Sequence, residues 1–155
     1  MAIAPILQRF LDQSVTYEVI PHKQTLSSMR TAKACHISSD GLAKGIVLRR
    51  NGGYLLAVLP ASRHIRLAEL KKQIGEDVDL ADEIEIARLF RDCAPGAIPP
   101  VGECYGLEVI VDDSMQEQPE VYLESGDHET LIHMSQAQFA RLTAHARHGR
   151  FSTHE

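Results

Sequence analysis

Three short stretches of the chain hold residue types that can do chemistry. The first is Lys44 in "GLAKGIVL", one residue before Gly45 at the mouth of an apolar run. A lysine partly desolvated by Leu42, Ala43 and Ile46 keeps its charge only when something anionic meets it. Such an ammonium can orient a water or an ester oxygen. The plain alternative is a strand-end lysine that points into water, as most lysines do. The second stretch is "GAIPPVG", Gly96 to Gly102. Gly96 lets backbone approach a ligand closely, and Pro99 and Pro100 hold φ near about −65° without losing a donor that the loop needs. The amides of Gly96, Ala97 and Ile98 can then face a carbonyl or an oxyanion, and preorganised donors of that kind stabilise developing charge. Read plainly, the same residues are a rigid connector between a helix and a strand. The third stretch is "SGDHETL". Gly126 and Asp127 suit a tight turn between two strands. His128 adds a group that can donate to a substrate or act as acid or base; the plain alternative is a surface histidine in a turn.

Other chemistries find less support. The chain has eight histidines and three cysteines, but no CxxC and no HExxH. His128 and His133 are five residues apart on a strand-like stretch and so face opposite ways. A zinc site is not expected, nor any other metal or cofactor. His145, His148 and His154 read as solvated on or beyond a terminal helix. No GxSxG elbow marks a nucleophilic serine, and no GxGxxG or GxxxxGK[ST] occurs.

These residues need elements to hold them. Residues 5–12 carry apolar side chains at helical spacing. "VTYEVI" alternates as a strand and ends at Pro21. Ser27 can cap a short helix in "TLSSMRTAKACHI". Gly45–Arg49 and Tyr54–Leu59 flank Asn51-Gly52-Gly53, which makes the strongest hairpin signal in the chain. "HIRLAELKKQIG" reads as a helix closed by Gly75, and "DEIEIARLF" as another opened by acids. "YGLEVIVDDS" is a strand, "EVYLESGDHETLIHMS" is strand, turn, strand, and "SQAQFARLTAHARHG" is a final helix capped by Ser135. The last residues, 150–155, are expected to fray. This order predicts an α+β (α/β) domain: a mixed, mostly antiparallel sheet with helices around it.

With 155 residues, one domain spanning 1–155 is expected. The start, "MAIAPILQRFLDQ", meets Arg9 and Asp12 before any long apolar run, so neither a signal peptide nor a membrane span is predicted. Three cysteines suggest no disulfide framework. A cytoplasmic protein with no membrane partner fits these features. Residues 1–75 carry 11 Lys+Arg and 4 Asp+Glu, a net +7, while residues 76–155 carry 5 and 17, a net −12. Either the first half meets an anionic partner, or the two halves neutralise each other across one fold. An overall charge of −5 speaks against DNA and against tight nonspecific nucleic-acid binding.

Taken in order, Lys44 at a strand start, the GxxxP pattern of Gly96, Ala97, Ile98, Pro99 and Pro100, and the Gly126-Asp127-His128 turn before "LIHMS" resemble the YbaK/prolyl-tRNA-synthetase editing-domain family. The resemblance runs from about Val15 to Leu142. It implies a strongly curved sheet with a cleft between the lysine and the Gly-Pro loop, and an aminoacyl-tRNA deacylase that clears mischarged tRNA in trans. On that resemblance, Lys44 positions the terminal adenosine or the ester, and Gly96 with its loop holds the aminoacyl group and a water. Gly126, Asp127 and His128 shape the amino-acid pocket, and the substrate's ribose hydroxyl takes part in proton transfer. The partner is the 3′ acceptor end of aminoacyl-tRNA, with an aminoacyl-tRNA synthetase as a further partner. The basic residues of the first half, among them Arg30, Lys33, Arg49, Arg50, Arg63, Lys71 and Lys72, can meet acceptor-stem phosphates. The chain departs from many relatives at Gly45, where Thr or Asn commonly follows the lysine. That departure leaves room for a second reading, a non-catalytic module that holds a nucleotide, an aminoacyl adenylate or a protein partner in the same cleft. The sequence leaves alanine, cysteine, serine and threonine open as the amino acid removed.

Overall fold

The structure, a computed structural model, describes residues 3–23 and 27–154. The first two residues, the stretch 24–26 ahead of the Ser27 cap, and Glu155 lie outside the described residues. The chain runs α1 (Pro5–Ser14), β1 (Glu18–Pro21), α2 (Ser28–Ala34), β2 (Leu42–Arg50), β3 (Gly53–Pro60), β4 (Arg63–Ile65), α3 (Leu67–Ile74) and β5 (Val78–Leu80). It continues with α4 (Glu83–Leu89), β6 (Glu108–Asp112), β7 (Glu120–Glu124), β8 (Thr130–Ser135), α5 (Gln136–Leu142), β9 (Arg147–Gly149) and β10 (Ser152–His154).

Eight strands make one mixed sheet in the order β1-β8-β7-β2-β3-β6-β9, with β5 added to β2. The β2–β3 hairpin is its spine. Its register pairs Ala43 with Pro60 through Arg50 with Gly53, and Gly52 takes the positive φ (82°) that the tight turn requires. Because β3 occupies one edge of β2 along almost its whole length, β7 and β5 must share the other. β7 runs parallel there and pairs only at Leu42–Tyr122 and Ala43–Leu123. β5 begins its antiparallel pairing at Leu48, preceded by a single bond from the Ala81 amide to the Val47 carbonyl. The ladder on this edge is therefore interrupted from Lys44 to Ile46.

Alternation along β2 sends Ala43 and Val47 to one face of the sheet and Ile46 and Leu48 to the other. The first face carries the larger core. There Leu7 and Leu11, four residues apart on α1, and Phe139 and Leu142 on α5 close over Val58, Val121 and Leu123. Burying one such leucine contributes roughly 1.5–3 kcal/mol. The opposite face holds Leu48, Leu55, Leu59 and Ile110 under Leu70 of α3 and Phe151. Helix ends follow the expected chemistry. Ser27 accepts from the Arg30 amide and Ser135 from the Gln138 amide, Asp82 and Glu85 form a reciprocal capping box, and Gly75 closes α3 with a left-handed φ of 72°. Among the described residues no helix is long and apolar enough to cross a membrane.

The structure corrects the C-terminal expectation. The last helix stops at Leu142 rather than continuing through the histidines, and His148 and His154 lie in β9 and β10, both exposed. The described tail does not fray. β10 pairs with β4, Phe151 is fully buried, its amide donates to Asp112 and its carbonyl accepts from Arg66. His64 and Ile65, expected at a helix start, belong to β4 instead. Strands of three residues are too short to show a period, and their partners lie from about 30 to about 90 residues away, so local pattern cannot reveal them.

Candidate active site

The interruption on the β2 edge opens a small cavity of about 60 Å³. Its walls come from Leu42, Ala43, Lys44 and Gly45 of β2, Ser27 and Thr31 of α2, Gly96 and Ile98 of the loop, and Glu124 and His128 around the end of β7. That volume admits only a few water-sized groups. Gly96 and Ile98 also border a wider apolar groove of about 410 Å³ along α4, where Ile84, Ala87 and Phe90 line the opposite side.

Lys44 is half-buried. Among the described residues its Nζ donates one long bond, 3.4 Å, to the Ala61 carbonyl, and burial pushes its pKa down. Among the described residues it forms no ion pair. The site thus holds a cation whose hydration is reduced and whose counter-charge does not come from a carboxylate among the described residues.

The loop that faces it is fixed from below. Gly96 adopts a left-handed φ of 78°, which glycine takes without strain. The Ala94 amide donates to the Gly126 carbonyl at 2.7 Å, and His128 Nε2 lies 2.5 Å from the Pro95 carbonyl. A carbonyl only accepts, so Nε2 carries the proton and His128 is committed to holding the loop. Asp92 adds a second brace, accepting from the Ile6 amide and the Tyr105 hydroxyl. The packing is close: a Cβ on Gly45 would sit 3.0 Å from Leu56 Cδ1 and 3.2 Å from Pro100 Cα.

The sequence-derived residues therefore separate into groups. Lys44, Gly96, Ile98 and His128 share the cavity. Ala97 does not offer its amide, which donates to the Ala94 carbonyl, and its side chain is fully buried; the expectation of three adjacent open donors is corrected on that point. Among the described residues the Gly96 and Ile98 amides are not used in this way. Pro99 and Pro100 are buried, Pro100 against β2. Gly126 and Asp127 do not line the cavity. Gly126, at φ 110°, lets the turn pack on Ala4 and Cys93, while Asp127 accepts from the Glu129 amide, the Ser125 hydroxyl and the Thr130 hydroxyl. These two build the turn from which His128 reaches the loop.

Two walls escaped the sequence reading. Thr31 looks like an ordinary helix residue, although its burial beside Ala32 marks the inner face of α2. Glu124 ends a strand just before a polar turn, where a solvated carboxylate is the usual reading. Instead it is largely buried, and burial pushes its pKa up to about 7, with His128 lowering and Asp127 raising it further.

The basic first half resolves in favour of neutralisation for two of its members. Arg49 pairs with Glu85, and Arg50 with Glu76 and Glu108. Arg30 and Lys33 stay exposed on α2, the helix that walls the cavity.

A family model described as "Aminoacyl-tRNA editing domain" matches residues 22–142. No curated protein matches the chain. Among solved structures, the chain resembles a "putative trans-editing enzyme for prolyl tRNA synthetase" at a TM-score of 0.83 and 20% identity, covering 97% of this chain and 96% of that one. It resembles a hypothetical protein at 0.84 and 20%, covering 96% and 99%. A signal transduction protein from Marinobacter aquaeolei VT8 matches at 0.76 and 22%, over 96% of this chain but 30% of that longer one. At such identities these likenesses establish the fold.

Proposed function

The chain belongs to the aminoacyl-tRNA editing domain family, and on that premise we propose that it is a trans-acting deacylase that cleaves the ester between a small, wrongly attached amino acid and the 3′ end of tRNA. The observation that carries this reading is the half-buried Lys44 ammonium, free of carboxylate partners among the described residues, in one small cavity with the braced Gly96 loop.

In this reading the ester carbonyl enters between Lys44 and the Gly96–Ile98 backbone. The ammonium draws charge toward the carbonyl oxygen, and the Gly96 and Ile98 amides donate to that oxygen as water attacks. Water's oxygen bonds to the acyl carbon and the ester C–O bond breaks. The proton passes to the ribose oxygen with help from the neighbouring ribose hydroxyl. His128 acts through the loop: it keeps Gly96 at the distance the carbonyl needs. The wider apolar groove beside Gly96 gives the terminal nucleoside a place next to the scissile bond. The cavity volume sets the size limit. A synthetic site discriminates poorly against an amino acid one methylene smaller, by about 1–3 kcal/mol, and a second, smaller chamber that hydrolyses what it admits supplies the rest. Arg30 and Lys33 are placed to meet backbone phosphates of the acceptor end.

The test is a deacylation panel: several tRNAs charged with alanine, cysteine, serine or threonine, with wild type beside Lys44→Ala. Removing one preorganised charge-stabilising group costs on the order of 10²-fold in turnover, so the variant should lose at least that with the best substrate while its melting temperature holds. Unchanged hydrolysis by the variant contradicts the reading. Binding of adenosine-like ligands with no turnover of any charged tRNA points instead to the non-catalytic module, which the tight Pro100–Gly45 packing also accommodates.

A further inference from the structure

β2 and β7 part at a defined step. Their parallel register pairs Leu42 with Tyr122 and Ala43 with Leu123, and the next pair in that sequence is Lys44 with Glu124. Residues in register on parallel strands share a face. The ladder stops one residue short of bringing an ammonium and a carboxyl together, and both line the cavity that opens there. They do not neutralise each other. The Lys44 ammonium is perturbed by burial alone, and the groups that perturb Glu124 after burial are His128, Asp127 and the Ser125 amide. Glu124 Oε1 is one of two buried side-chain polar atoms without a hydrogen-bond partner among the described residues. Leaving such an oxygen unpaired is costly, and a partner that arrives with the substrate removes the cost.

We propose that Glu124 is the seat for the α-ammonium of the aminoacyl group, with Lys44 holding the carbonyl end of the same unit. The inference rests on the deacylase reading and adds a specificity element to it: the site recognises a free amino group and not merely a small acyl chain. An α-amino ester presents an acceptor oxygen and a cationic nitrogen on adjacent carbons, and the cavity presents a cation and an acid at opposing strand ends. His128 cannot supply the missing charge partner, since its Nε2–H is spent on the Pro95 carbonyl. Asp127 is engaged within its own turn.

The test uses two non-hydrolysable analogues, 3′-alanylamino-3′-deoxyadenosine and its 3′-lactylamino counterpart, in which a hydroxyl replaces the ammonium at nearly equal size. Binding of each to wild type and to Glu124→Gln is measured by calorimetry, with alanyl-tRNA deacylation followed in parallel. A charge-assisted bond predicts that wild type favours the alanyl analogue about tenfold or more, and that Glu124→Gln binds the two within about twofold while keeping its fold by circular dichroism. Equal affinity of wild type for the two analogues, no binding of either, or a preference that survives in Glu124→Gln overturns the proposal. Because the analogues cannot be cleaved, a clear preference without turnover of any charged tRNA supports the ammonium seat and counts against the hydrolytic reading instead.

Discussion

At the scale of single residues, Glu124 makes a prediction independent of substrate. Its folded pKa, about 7, stands above the ordinary value of 4.5. Between those values the folded chain holds a proton that the unfolded chain has released, so stability falls as pH rises through the window. Fully developed above pH 7, the difference corresponds to about 3 kcal/mol. Glu124→Gln removes the titration and should match wild type near pH 4.5, then gain on it up to pH 8. Urea midpoints at constant slope measure the gap, and a gap that stays flat with pH excludes a buried, protonated Glu124. Lys44 was legible from sequence because its apolar neighbours Leu42, Ala43 and Ile46 announce desolvation. Glu124 was not, because Val121 and Leu123 take the inward positions of β7 and leave Glu124 on the side that a strand usually turns to water. Residues of α2 and the Gly96 loop, distant in sequence, line the cavity with it.

At the scale of elements, the site is made by what β2 fails to pair. A parallel partner leaves after Ala43, an antiparallel one arrives near Val47, and the Gly-Pro loop packs on Gly45 and borders the cavity left between them. The β2–β3 hairpin was readable because Asn51-Gly52-Gly53 states its turn chemistry locally. The short strands β4, β5, β9 and β10 were not, since three residues carry no alternation and their partners are remote. The same geometry explains Gly45. Where a family resemblance suggests Thr or Asn, Leu56 and the loop leave no room for a side chain, with Leu56 Cδ1 3.0 Å and Pro100 Cα 3.2 Å from where a Cβ would stand. Gly45→Thr should therefore lower stability by about 1–3 kcal/mol through overpacking, and should reduce deacylation by displacing Gly96 rather than improve it by adding a hydroxyl. Denaturation and turnover on the same preparation check both parts, and a variant as stable as wild type with raised activity refutes the packing account.

At the scale of the whole molecule, the two oppositely charged halves meet across the sheet. Arg50 of β2 joins Glu76 and Glu108, and Arg49 joins Glu85. Partly exposed pairs of this kind contribute on the order of 1 kcal/mol each, so they account for the charge pattern better than for the stability. Closure of the fold rests more on the C-terminus. Phe151 is 0% exposed in the core between α3 and β3, and Asp112 reaches its amide from the end of β6, the strand beside β3. A segment that looks like a frayed end thus seals the sheet face opposite α1 and α5. Phe151→Ala should cost about 3–5 kcal/mol, as truncation of a buried aromatic does, which for a domain of this length lowers the melting temperature by roughly 10 °C. Arg150→Ala, one residue earlier and exposed, serves as the control and should change stability by less than about 0.5 kcal/mol. If both substitutions prove equally mild, the terminal strand is an ornament and the core ends at β9. If only the phenylalanine matters, the last residues are structural and complete the core under α3.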